Sequence, residues 1–232
     1  MSQAGVVTRL AVRELWITFR LMLLLVAFVG AGATVALLPA ALPVTMQRLA
    51  IGLGAATVLL AVIAAWSLAD ERRQGRAGWL VARSVSRGTL LGGWFVALSS
   101  VALAGLAAAA VLGWLAASGV SLRLDPAAFA MLLAAVASTL VTAAAFGLMA
   151  GAIFRPRLAA LIAAVGCGAA LAVAWFLPQA GGLVPGTAFL ELAALTDGPV
   201  FVADAWRSAG AALLGAGVLL VLGRLALSRA EL

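Results

Sequence analysis

Enzymes and metal proteins are built from nucleophiles, acids, bases and ligands, and this chain is short of most of them. It has no lysine, no histidine and no tyrosine. Without lysine there is no Walker A loop, whose lysine reaches the phosphates of a bound nucleotide, so the chain cannot hydrolyse ATP by that route. Without histidine there is no Ser-His-Asp or Cys-His nucleophile and no histidine metal site. The single cysteine, Cys167, can form neither an internal disulfide nor a Cys-x-x-Cys site. The expectation is a chain with no catalytic residue, no metal and no cofactor of its own. What it does have is arginine. Five of its fifteen arginines (Arg72, Arg73, Arg76, Arg83 and Arg87) fall in one run from Asp70 to Trp94, with more than twenty nearly uncharged residues on each side.

An arginine at the centre of a membrane helix costs about 2.5–3.5 kcal/mol, so this run must lie in water between two spanning helices. Arginine density also assigns that water to the cytoplasm, by the positive-inside rule. The whole composition agrees with a membrane setting: 66% of residues are hydrophobic and 10% charged, where a soluble domain has roughly a quarter charged. The net charge of +7 reads as topology signal and contact with anionic lipid heads, not as a nucleic-acid footprint. The chain start lacks the short apolar region and small-residue cleavage site of a signal peptide.

These constraints predict an all-α integral membrane protein, one transmembrane domain over 1–232. An amphipathic interfacial helix over 7–20 comes first. At 100° per residue Arg9, Arg13 and Arg20 share one arc, with Glu14 on the apolar side and Trp16 at headgroup depth. A charged flank of the first span is the alternative. Spans follow over 21–42, 49–69, 90–118, 127–154, 158–177 and 205–227. Arg48 lies in a short outer turn, 70–90 is the cytoplasmic loop, and 178–204 is an outer Gly/Pro-rich segment with a short helix over 187–195. Span 3 is longer than the roughly 30 Å hydrocarbon core, so it should tilt or protrude. With both termini in the cytoplasm, twelve arginines fall inside and three (Arg48, Arg123, Arg207) outside.

Smaller signals have plain readings. Gly147 and Gly151 form a Gly-x-x-x-Gly that lets helices approach closely, within the chain rather than at a dimer seam. Ser138 and Thr142 bond to their own backbone. Cys167 packs inertly between two glycines. Trp66, Trp79, Trp94, Trp114, Trp175 and Trp206 sit near span ends, as in an aromatic belt. Glu191 reads as a solvated loop carboxylate. No charged residue lies at a midplane, which argues against proton relays and ion-coupled transport.

The run from Asp70 to Trp94 resembles the cytoplasmic loop of ABC type-2 exporter permeases. That family places Glu-Arg, then Gly three residues later, a leucine-rich turn, Pro-x-Ser-Arg, and Gly-Lys at the start of the third span. Glu71, Arg72, Gly75, Leu80, Ser86, Arg87 and Gly93 fall on this spacing, while Ser84 and Trp94 replace the family's Pro and Lys. The N-terminal helix with Arg13-Glu14-Leu15, the six spans and the broken outer segment are similar at lower specificity.

The resemblance implies a permease subunit of an ATP-driven exporter. It would pair with a second six-span subunit, identical or not, and dock separate ABC ATPase subunits that bind ATP and magnesium. The loop would carry the coupling helix: Leu80 as anchor, Glu71 pairing with Arg72 or Arg87 or capping the helix, Gly75 opening its turn, and Ser86 with Arg87 leading into span 3. A hydrophobic or amphipathic drug, lipid or peptide is the expected cargo class, with no substrate-binding residue assigned. A haem-exporter-like subunit of cytochrome c maturation and a non-transporting scaffold or immunity protein stay open as alternatives. The expected location is the inner or plasma membrane.

Overall fold

A computed structural model describes residues 3–38, 40–75, 85–120, 125–176, 184, 186–195 and 203–229. Every regular element among them is helical: α1 (Gln3–Ile17), α2 (Arg20–Leu37), α3 (Leu42–Arg73), α4 (Arg87–Val120), α5 (Pro126–Ile153), α6 (Pro156–Phe176), α7 (Thr187–Ala193) and α8 (Ala203–Arg229). Six of them, α2 to α6 and α8, are long and apolar enough to cross a membrane. The physical reason is backbone satisfaction. Lipid offers no hydrogen bonds, so each spanning segment must pair its own N–H and C=O groups, as a helix does.

Helices α3 and α5 form the centre. Each is more than half buried along its most apolar stretch, whereas α6 and α8 bury only about a fifth of theirs. The outer helices turn Leu161, Val165, Leu214 and Val218 outward, the face a lipid-exposed helix requires. The centre is lined by small residues. A Cβ on Gly147 would stand 2.2 Å from the Ala61 carbonyl oxygen, and one on Gly151 2.5 Å from that of Ala65. The Gly-x-x-x-Gly therefore seats α5 on α3 within the chain, as its sequence reading expects.

Several expected boundaries shift, each for a local reason. The N-terminal helix stops at Ile17, and Phe19 adopts a left-handed φ of 58°. Arg20 thus opens span 1 and leaves the arc it was expected to share with Arg9 and Arg13. The expected outer turn around Arg48 is helical, because Pro43 sits at the first turn of α3, where its missing N–H costs nothing. Arg48 folds back to donate to the Leu38 carbonyl at 3.0 Å, closing the end of α2. Residues 70–73, expected in the loop, continue α3. At 1.5 Å per residue α3 and α4, with 32 and 34 residues, are about 48 and 51 Å long. Both exceed a hydrocarbon core of roughly 30 Å, so each must tilt within it or extend beyond it.

Span 4 starts with Asp125 as N-cap, its carboxylate accepting from the Ala127 N–H at 2.9 Å, and Pro126 in the first turn. The short α7 buries Ala188, Phe189 and Leu192 against the bundle. Ser208 Oγ on α8 donates to the Val184 carbonyl at 3.0 Å, tying span 6 to the segment before α7.

Candidate functional site

The arginine-rich end is organised by how α3 stops and α4 starts. Helix α3 runs through Asp70, Glu71, Arg72 and Arg73, after which the Gln74 N–H donates to the Asp70 carbonyl and the Gly75 N–H to that of Arg72. Gly75 takes a φ of +71°. That left-handed conformation costs any other L-residue about 1–2 kcal/mol, which is why glycine ends helices this way. Gly75 thus terminates span 2; the coupling helix whose turn it was expected to permit lies in 76–84, outside the described residues. Eleven residues later Ser86 does the converse. Its Oγ accepts from the Thr89 N–H at 3.0 Å, the bond of an N-cap, and it also pairs with Thr89 Oγ1 at 2.7 Å. Ser86 therefore starts α4, in keeping with its expected place at the entrance to span 3.

Arginines then lash the helix ends together. Arg72 was one expected partner for Glu71, but its Nη1 donates to the carbonyls of Gly151 and Ala152 at 3.0 and 2.5 Å. These carbonyls belong to the last turn of α5, where a cation complements both the unpaired C=O groups and the helix dipole. Arg87 makes the same type of contact with the Leu227 carbonyl near the end of α8. Glu71 lies buried in the last turn of α3, at 8% exposure. Arg20, expected at the headgroups with Arg9 and Arg13, donates to Asp70 Oδ2 at 3.4 Å and to Ser67 Oγ at 3.1 Å. Span 1 is thus pinned at its start to the end of span 2.

Helix α1 completes this end. Its buried residues Val7, Ala11 and Leu15 face the bundle, and a Cβ on Gly93 would lie 2.4 Å from Val7 Cγ1. Gly93 is the notch that admits α1 against α4. The apolar side of this expected interfacial helix is therefore turned to the bundle, with Val7 against α4. Arg9, Arg13 and Trp16 stay exposed on the outer side, and Glu14 is partly buried.

No protein-family model matches the chain, and no curated protein matches it. The chemistry of this end must therefore be read from its own residues. Leu80, the expected anchor, lies with 76–84 outside the described residues. Around that stretch stand two helix-ending devices, Gly75 and Ser86, on the tips of the two longest helices. Among the described residues no three His, Cys, Asp or Glu side chains gather as a metal site. Among the described residues this end carries no nucleophile–base pair; Gly75 and Ser86 define the two helix ends between which 76–84 run.

Inside the bundle Ser138 donates to the Ala135 carbonyl at 2.6 Å, as expected. Thr142 goes further: its one hydroxyl proton has two carbonyls within reach, Ser138 O at 2.9 Å and, across on α8, Ala212 O at 2.7 Å. It flanks a cavity of about 180 Å³ that Cys167 and Phe146 also line. Trp66, Trp175 and Trp206 are exposed, as a belt requires, but Trp94 is buried at 3% and Trp114 packs on Phe129 at 5.5 Å. Trp79 lies outside the described residues. The Arg20–Asp70 pair, the Arg72 clamp and the Gly93 notch are absent from the sequence reading. Only Gly92-Gly93 inside an apolar span marks the last of them in advance, as a close approach.

Proposed function

We propose that the chain is the membrane subunit of an ATP-driven exporter of the ABC type-2 kind, with ATP bound and hydrolysed by separate subunits. The observation that carries this reading is the connection between spans 2 and 3. It bears five arginines within the family-like spacing from Glu71 to Gly93, and it runs between a glycine stop and a serine cap on two helices longer than the hydrocarbon core is thick. A subunit without a nucleotide site must receive force mechanically, and a stiff helix end transmits a push that a frayed loop would absorb. Arg72 and Arg87 would pass such a push on, since they hold the last turns of α5 and α8. In this reading the arginine-rich end faces the cytoplasm, two six-span subunits form the transport path, and an amphipathic molecule crosses between them.

The test uses Leu80→Asp, in the connection between spans 2 and 3, with the full chain and its partner ATPase in lipid nanodiscs. Loss of a buried interface anchor typically costs 1 to 4 kcal/mol. Transport-linked ATPase activity should therefore fall about tenfold or more, with expression and helical content unchanged. Full activity and undiminished co-purification of the ATPase in this variant would refute the coupling role.

A further inference from the structure

A crevice of about 1070 Å³ opens at the arginine-rich end, between the last turns of α3 and the turn joining α5 to α6. Arg72 and Arg73 line it from α3, Arg155 from the turn and Arg157 from the first turn of α6. The carboxylate on the described lining, Asp70, is already engaged by Arg20 and Gln74. It leaves the four guanidiniums largely uncompensated. Arg73, Arg155 and Arg157 are exposed, and the Nε of Arg72 is buried without a hydrogen-bond partner. Helix α6 begins at Pro156 in the same wall, so its amide end adds the positive pole of a helix dipole. Like charges gathered this way repel unless an anion sits among them.

The remaining wall is apolar. Trp66, Ile153 and Leu158 line the crevice toward the spans, and all three are exposed. A soluble anion has no use for such a wall, and a docked protein would have to reach down beside membrane-spanning residues. An amphiphile fits both halves. We infer that this crevice binds an anionic phospholipid, its phosphate among Arg72, Arg73, Arg155 and Arg157 and its glycerol and upper acyl chain against Trp66, Ile153 and Leu158. Basic pockets between transmembrane helices recognise lipid heads in this way. The site would fix the end of span 2 relative to the α5–α6 turn, and it stands whether or not the chain couples to an ATPase.

The purified full chain in detergent is given phosphatidylglycerol or phosphatidylcholine at equal mole fraction, and retained lipids are counted by native mass spectrometry. The wild type should retain phosphatidylglycerol about tenfold or more over phosphatidylcholine. Arg73→Gln/Arg155→Gln/Arg157→Gln should lose that preference, and lysine at the same three positions should restore most of it. Arg72 is left in place because it also clamps α5. Absence of a preference in the wild type, or its persistence in the glutamine variant, overturns the site. Displacement of the lipid by millimolar inorganic phosphate would assign the crevice to a soluble phosphate. Loss of ATPase co-purification with lipid preference intact would assign it to a protein. A second readout avoids the triple variant. In phosphatidylcholine vesicles holding a minor fraction of brominated phosphatidylglycerol, the quenching that disappears in Trp66→Phe should exceed that of random mixing; quenching no greater than random mixing overturns the inference.

Discussion

Helices α3 and α5 meet twice, and the two meetings use opposite chemistry. In the interior Gly147 and Gly151 bring backbone against backbone, at Ala61 and Ala65. At the arginine-rich end the same two helices are joined by one guanidinium, Arg72 on the Gly151 and Ala152 carbonyls. Gly151 takes part in both. The difference follows from the solvent. Within lipid there is no hydrophobic drive between helices, so association depends on close packing of small residues. At the end of a helix the last four carbonyls have no partner, and a cation there meets an unfilled need.

The interior contact should be the more sensitive to substitution. Gly147→Leu forces a side chain into the Ala61 carbonyl, with rigid backbone as the neighbour that must move. Overpacking typically costs 1–3 kcal/mol and sometimes more, and we expect about 3 kcal/mol here. Gly217→Leu is the control, since nothing stands within 4 Å of a Cβ at that position, and it should change stability by less than about 0.5 kcal/mol. Denaturant titration in mixed micelles, followed by far-UV circular dichroism, measures both. Equal effects at the two positions would remove the α3–α5 seam as the centre of the fold.

Arg72→Gln comes next. It removes a charged donor from two carbonyls but leaves them near water, so the expected loss is about 1–2 kcal/mol, at the low end for bonds to charged groups. Backbone hydrogen exchange should quicken at the last turn of α5 and not in the interior around Gly147. Faster exchange throughout the bundle would mean that the clamp and the seam are one unit.

Gly75→Ala is the smallest expected change, about 1 kcal/mol of left-handed strain. It is also the most local. Helix α3 should fray or lengthen beyond Arg73, shifting the connection to α4 while the denaturant midpoint falls by no more than this small loss requires. In the exporter reading, ATPase coupling would fall more than stability does. Loss of stability with coupling intact would separate the helix stop from the coupling function.

The six spans were legible because hydropathy is a local property: each segment must be long, apolar and nearly uncharged by itself. Helix-ending signals were only half legible. Ser86 and Pro126 act where local chemistry places them, whereas the role of Gly75 as the stop of span 2 had no place in the sequence reading. From sequence, a glycine between two helical segments can belong to either. The arc of Arg9, Arg13 and Arg20 failed for a related reason. Periodicity assumes an unbroken helix, and one left-handed residue, Phe19, ends it.

What the sequence determined by itself was the setting and the count: six helices long and apolar enough to cross a membrane, with the arginines gathered toward their ends. Those follow from the cost of placing charge or unpaired backbone in hydrocarbon, which each residue incurs alone. What only the tertiary structure decided was which groups meet. Arg72 and Gly151 are 79 residues apart, and Arg87 and Leu227 are 140. A guanidinium with several donors accepts any carbonyl it can reach, so its partner is set by how the helices pack and not by its neighbours in the chain.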